Sequence, residues 1–90
     1  MRVFGRGTIE FLKPENHRVL AFTRRLGKET VLVVNNLAGT AQAVELDLSQ
    51  FSGAIPIEMF GASVFPRITH EPYIMMMGPY HFYWFRLRWL

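Results

Sequence analysis

The chain has 90 residues, half of them apolar and none of them cysteine, and its formal net charge is +3. This size and composition fit one domain over residues 1–90 with a packed core, and they exclude disorder, disulfides, thiolate metal sites and cysteine nucleophiles. The basic residues are scattered, with Arg24-Arg25 the only adjacent pair, whereas a nucleic-acid-binding domain is expected to gather them in a stripe.

The start of the chain, Met1–Arg6, lacks the apolar segment of a signal peptide. No stretch approaches the roughly 18 to 20 continuous apolar residues that span a bilayer. We therefore expect a cytoplasmic protein with no membrane partner, and the absence of cysteine fits a reducing compartment.

Short strands follow one another along the whole chain. They are predicted from a period of two in hydrophobicity and from Gly and Pro turns at 8–12, 18–25, 29–36, 41–48, 55–60, 72–77 and 81–88. A single helical turn is predicted at 47–51, capped by Asp47 or Ser49. The fold class is therefore all-β, as a two-sheet antiparallel β-sandwich of the Greek-key type with about seven strands.

Alternation within the strands predicts which residues enter the core. Residues 44–48 alternate apolar and polar positions, which is typical of a strand with one solvated face. Ile55, Ile57 and Met59 repeat this pattern. Pro56 places their strand at a sheet edge or a bulge, because proline lacks the backbone donor that a ladder needs.

Two other apolar runs do not alternate in this simple way. Residues 31–34 are apolar and mostly β-branched, which predicts a central strand covered on both faces. In the methionine triplet, Met75 and Met77 are predicted to fill the core, while Met76 is assigned to neither face. In the hairpin 26–29, Gly27 can adopt the positive φ that such a turn requires.

No pattern in the sequence indicates catalysis. A glycosidase needs two facing carboxylates, and the nearest pair, Glu45 and Asp47, is predicted to lie on the solvated side of one strand and not in a cleft. His17, His70 and His81 lack partners at the spacing of common metal motifs. The glycines form no phosphate cradle and the serines no nucleophile elbow. We therefore predict no catalytic residue, no metal site and no cofactor.

The C-terminal segment 80–90 is apolar on both faces for part of its length. If the odd-numbered residues 81–89 face the core, Phe82 and Trp84 lie on the opposite face. One interpretation is that the loop 61–72 covers them. The other is that Phe82, Trp84 and Tyr80 belong to a surface that meets another domain or a sugar.

Several segments carry a family resemblance when they are taken in order. They are Phe4–Leu12, Pro14–Asn16, Val19–Phe22, Val31–Leu37, Val44–Leu48 and Phe82–Phe85. This set resembles the C-terminal domain of trehalose synthases, which belong to the α-amylase family and interconvert maltose and trehalose. The methionine triplet and His81 depart from the pattern, since leucines and glycine are usual there.

The resemblance implies a β-sandwich packed against a catalytic (β/α)₈ barrel, which holds the catalytic carboxylates and is absent from this chain. We therefore expect a non-catalytic accessory domain whose partner is that barrel, and which forms homo-oligomers when isolated. This hypothesis predicts a continuous apolar patch with few convergent polar groups.

Two rival hypotheses remain open. A stand-alone carbohydrate-binding module would stack sugars on Trp84, Phe82 or Tyr80, and it predicts coplanar rings beside polar groups. A basic nucleic-acid-binding barrel predicts arginines gathered around the aromatic residues.

Overall fold

The computed structural model describes residues 8–89, which form seven β-strands and one short 3₁₀ turn. The strands are β1 (Thr8–Phe11), β2 (Val19–Leu26), β3 (Glu29–Asn36), β4 (Gln42–Leu46), β5 (Ala54–Glu58), β6 (Tyr73–Met77) and β7 (Phe82–Trp89). Each lies within two residues of a predicted strand, and the 3₁₀ turn occupies Ser49–Phe51. The all-β prediction is confirmed.

The first seven residues and the last one are outside this description, so the interpretation of Met1–Arg6 and the beginning of the resemblance at Phe4 have no structural counterpart here. Within the described part, no helix has the length and apolar character needed to cross a membrane.

The strands form two antiparallel sheets. The large sheet has five strands in the order β1-β2-β3-β7-β5, and the small sheet pairs β4 with β6. The chain passes from one sheet to the other after β3, β4, β5 and β6, as expected for a Greek-key sandwich. β5 lies at an edge, which confirms the prediction from Pro56. β3 is central, as predicted from residues 31–34, but the small sheet covers only one of its faces, so the prediction that both faces are covered is wrong.

The core lies between the small sheet and one face of the large sheet. Phe85 and Leu32 are fully buried there, and burial of such side chains stabilises the fold by about 1.5–3 kcal/mol each. Met75 and Met77 are buried while Met76 is exposed, which confirms the first two predictions and assigns Met76 to solvent. We call the opposite side of the large sheet the outer face.

The loop 61–72 packs on the core side and not over Phe82 and Trp84. Its Ile68 is buried, and the Phe65 ring lies edge-on to the Phe85 ring at 4.7 Å. The Tyr73 hydroxyl donates to the Pro66 carbonyl at 2.6 Å, and burial raises the pKa of Tyr73 to about 12.

The predicted orientation of β5 is wrong. Ala54 and Pro56 face the core, whereas Ile55 and Ile57 lie half-buried on the outer face. The register causes this, since Pro56 pairs with Leu87 and Leu87 is a core residue. Alternation in β5 identifies an apolar face but does not show that this face is the core, because the outer face is apolar as well.

Two of the odd-numbered residues predicted to lie in the core are exposed. His81 precedes β7, and Trp89 at its end is half exposed with its ring beside Phe51. β4 and β6 have five residues each and β7 has eight, so the small sheet covers only the middle of β7. Phe85 and Leu87 are buried there, and Tyr83 is partly buried against the core.

A buried asparagine joins the two sheets. Asn36 ends β3 and is 2% exposed. Its Nδ2 donates to the carbonyls of Thr40 at 2.9 Å, Gly78 at 2.9 Å and Met77 at 3.3 Å. Its Oδ1 accepts the Ala38 backbone N–H at 2.9 Å. One amide group on the large sheet therefore satisfies backbone groups from the end of β6 in the small sheet, from the turn after it and from the connection that follows β3.

Asn36→Ala should lower the free energy of unfolding by about 3 kcal/mol, because it leaves several buried backbone groups without partners. Urea unfolding followed by circular dichroism measures the loss. Asn35→Ala is the matched control, since Asn35 is only half-buried and points to the outer face. Equal losses for the two variants would contradict the role given to Asn36.

Candidate interaction surface

A row of apolar side chains crosses the outer face from strand to strand. Phe11 pairs with Phe22, Phe22 with Val33, and Val33 with Trp84. Since cross-strand partners on one face lie about 5 Å apart, these four residues are in lateral contact. We call Phe11, Phe22, Val33 and Trp84 the outer row. Its centre is tightly covered, because Val33 is only 3% exposed although it points away from the core.

The predicted interface residues Phe82 and Trp84 come together at the β7 end of this row. Phe82 is 47% exposed and Trp84 is 41% exposed. The Phe60 ring stands edge-on to both, with centroids 6.1 Å from each. The prediction that these two aromatics lie on the face opposite the core is confirmed, and the loop that follows Phe60 leaves them uncovered.

Phe60 is the member of this cluster that sequence analysis missed. The Glu58 carboxylate accepts the backbone N–H groups of Phe60 at 3.1 Å and of Gly61 at 2.6 Å. This tight turn at the end of β5 places the Phe60 ring beside β7. The sequence signal for this position is the apolar pair Met59-Phe60 before Gly61, but alternation alone predicts this pair as the end of the strand 55–60.

Tyr80, the third predicted interface residue, lies apart from the other two. It sits in the turn before β7 with a φ of 56°, and its backbone N–H donates to the Ala38 carbonyl at 2.9 Å. Its ring packs over Gly39, where an added Cβ would lie 3.1 Å from the hydroxyl. Tyr80 is therefore a corner residue of the β6–β7 turn and not a member of the outer row.

The outer row is surrounded mainly by other apolar side chains. Further exposed or half-buried apolar residues on this face are Ile9, Leu20, Ile57 and Met59. Asn35 is the polar residue opposite Phe82. The result is a continuous apolar patch with few convergent polar groups, and patches of this kind generally mark an interface.

Arginines lie along one side of this patch. Arg24 and Arg86 flank Val31 across the sheet, and Arg88 follows on β7 opposite Ile55. We call Arg24, Arg86 and Arg88 the arginine row. The Arg86 Nε lies 3.0 Å from a Glu29 carboxylate oxygen.

Glu45 and Asp47 are exposed as predicted, but the prediction that they lie outside any cleft is wrong. With Glu15 and His70 they line an open groove of about 650 Å³. The segment that follows β1 packs beside the end of β4, and this proximity could not be read from alternation alone. The outer face and this groove meet at Phe11, which lines both.

Asp47 does not have the properties of a general acid. Its carboxylate accepts the Ser49 hydroxyl at 2.7 Å and the Ser49 backbone N–H at 3.1 Å. These hydrogen bonds lower the pKa of Asp47, whereas a glycosidase acid needs a raised pKa.

The N-cap of the 3₁₀ turn is Leu48, so the predicted cap was misplaced. In residues 8–89 no three His, Asp or Glu side chains are placed to share a metal ion.

Comparison with known sequences places these features in a family. The profile of the maltogenic amylase C-terminal domain matches residues 9–84. The chain is 42% identical over 88 residues to a trehalose synthase of Pimelobacter sp. strain R48, covering 93% of this chain and 15% of that protein. It is 40% identical over 87 residues to a trehalose synthase of Thermus thermophilus, covering 97% of this chain and 9% of that protein.

Comparison with solved structures supports the fold. AmyP in complex with maltotriose superposes with a TM-score of 0.76 at 15% identity, over 90% of this chain and 16% of AmyP. An Anoxybacillus α-amylase superposes with a TM-score of 0.73 at 23% identity, over 91% of this chain and 18% of that enzyme. The chain thus spans only a small part of each protein it resembles.

The family profile covers most of the chain, and the two trehalose synthases match nearly all of it at 40% identity or more. The β-sandwich topology agrees with the structural matches. This chain belongs to the maltogenic amylase C-terminal domain family.

Proposed function

We propose that the chain is a non-catalytic accessory domain of a trehalose synthase-like enzyme, and that its outer face packs against and stabilises the catalytic barrel that interconverts maltose and trehalose. The observation that carries this proposal is the outer row, an apolar strip across four adjacent strands on the face that the small sheet leaves uncovered. The trehalose synthases that the chain resembles are much longer than it.

The geometry of the outer row suits a stable contact with a folded partner. Its side chains are attached to paired strands, so little conformational entropy is lost when a partner covers them. Trp and Phe supply large apolar areas, and buried aromatics at the centre of interfaces often contribute about 2 kcal/mol or more each. Phe82 and Trp84 are the exposed aromatics at one end of this row and are its strongest anchor candidates.

The same geometry is less suited to sugar recognition. Sugar rings stack on flat aromatic platforms beside hydrogen-bonding groups, whereas the Phe60 ring is inclined by 84° to Phe82 and by 60° to Trp84. A carbohydrate-binding module remains the second candidate because Trp84 is accessible.

The proposal is tested in a chimera in which this chain replaces the matching region of the Pimelobacter trehalose synthase. The chimera should convert maltose to trehalose, while the chain alone should show no turnover of either sugar. Trp84→Ser should shorten the half-life of thermal inactivation of the chimera by about tenfold or more, as expected if about 2 kcal/mol of contact is lost.

Ile74→Ser is the matched control, since Ile74 is 67% exposed on the small sheet, away from the outer face. It should leave the half-life unchanged. Circular dichroism of the isolated variants verifies that both still fold. Equal effects of the two substitutions, or turnover by the isolated chain above a boiled sample, would refute the accessory role.

Sugar affinity should be weak or absent. Titration with maltose, trehalose and a longer α-glucan can be followed by tryptophan fluorescence in a Trp89→Phe background, which leaves Trp84 as the only tryptophan. A dissociation constant below about 1 mM, worth about 4 kcal/mol, that is lost in Trp84→Ala would favour the carbohydrate-binding module instead.

The isolated chain should self-associate through the outer face, because a second copy is the nearest available cover for an apolar patch. Trp84→Ala should weaken association by about 2 kcal/mol and leave the fold intact, since Phe85 and Leu87 remain in the core. Light scattering over a concentration series measures this, with Ile74→Ala as the control. A wild-type chain that stays monomeric at high concentration would disprove the prediction.

A further inference from the structure

We propose that the partner surface carries carboxylates beside an apolar strip, and that the arginine row meets these carboxylates and fixes the orientation of docking. The inference rests on the proposed function, since the partner is taken to be the catalytic barrel. In this proposal the apolar part of the outer face supplies affinity for the partner, and the arginines determine the orientation in which it binds.

Arg24 and Arg86 lie on a line parallel to the outer row, and Arg88 lies two residues farther along β7. Arg86 lies two residues beyond Trp84 on β7, which at about 3.4 Å per residue is a separation of about 7 Å along the strand. Arg24 holds the corresponding position beside Phe22 on β2. A partner that covers the outer row therefore also covers or closely approaches Arg24 and Arg86, and one that extends about 14 Å beyond Trp84 along β7 reaches Arg88.

One positive charge on this part of the face, that of Arg88, has no counter-charge within residues 8–89. Alternation along the described strands places three arginines and one carboxylate, Glu29, on the outer face. The Glu29 carboxylate is paired with Arg86. Arg88 is exposed, and among residues 8–89 no carboxylate lies within ion-pair distance of it. A covering surface without acidic groups would leave this positive charge partly desolvated, which is unfavourable.

Complementary charge at the side of an apolar contact sets orientation and rate of association more than affinity. Here the arginines lie on the side of the outer row that is nearer to the β2–β3 hairpin, while Phe82 lies on the other side. This asymmetry distinguishes two orientations of the domain on an apolar strip, because only one of them brings arginines to carboxylates.

Arginines beside aromatic residues are also what the nucleic-acid-binding hypothesis predicts. Bases stack on ring faces that are open to solvent. On the outer face the Phe60 ring contacts Phe82 and Trp84 edge-on, and Val33 is buried between the strands. The arrangement of side chains on the outer face is therefore more typical of a protein–protein contact than of a surface on which bases stack.

The test uses the same chimera with the Pimelobacter barrel. Arg88→Glu should shorten the half-life of thermal inactivation about fivefold in 50 mM NaCl and less than twofold in 1 M NaCl, because salt screens charges over about 3 Å at the higher concentration. Trp84→Ser should shorten the half-life at both salt concentrations. Arg25→Glu makes the same change of net charge on the opposite side of β2 and should have little effect at either.

The outcomes separate the two proposals. If Trp84→Ser acts and Arg88→Glu does not differ from Arg25→Glu, the accessory role stands and the acidic partner surface is disproved. If neither Trp84→Ser nor Arg88→Glu acts, both proposals fail. If the isolated chain binds a single-stranded oligonucleotide of 20 nucleotides with micromolar affinity, and Arg88→Glu abolishes that binding without affecting the chimera, the arginine row serves a nucleic-acid partner instead.

Discussion

The fold depends on an imbalance between its two sheets. The small sheet has two strands of five residues, and the large sheet has five strands. The small sheet and the loop 61–72 together can cover only one face of the large sheet. Because β3 carries apolar side chains on both of its faces, the other face of the large sheet is also apolar, and no second sheet covers it. The core, the outer row and the proposed docking surface all follow from this single constraint.

The covered side is closed by specific contacts as well as by apolar burial. Asn36 connects the end of β3 to the end of β6 through its amide group, and Tyr73 fixes the loop 61–72 through the Pro66 carbonyl. These bonds hold the small sheet over the middle of β7, where Phe85 fills the core. The exposed end of β7 on this side results from the same placement, which is why Trp89 remains accessible while Phe85 does not.

Sequence reasoning located the strands because alternation and turn residues are local signals, and it predicted the edge position of β5 from the missing donor of Pro56. The orientation of β5 could not be predicted from its local sequence. It depends on the register with β7, and two apolar faces cannot be told apart by hydrophobicity alone. Phe82 and Trp84 could be assigned to the face opposite the core from alternation along β7, whereas the position of Phe60 beside them depends on the turn that Glu58 forms after β5. The groove at Glu45 and Asp47 was missed because it forms between segments distant in sequence.

The large sheet directs association to its outer face and away from its β5 edge. At the β5 edge, Pro56 lacks a backbone donor, and Ile57 is already bridged to Val64 from the loop, so a further strand cannot pair there regularly. The outer row has no such protection. Its rings are held by cross-strand neighbours and by Phe60, so the surface that a partner meets already exists in the isolated domain. A preformed apolar strip with arginines along one side requires little rearrangement to bind, and the energy gained from covering it is available to stabilise the partner.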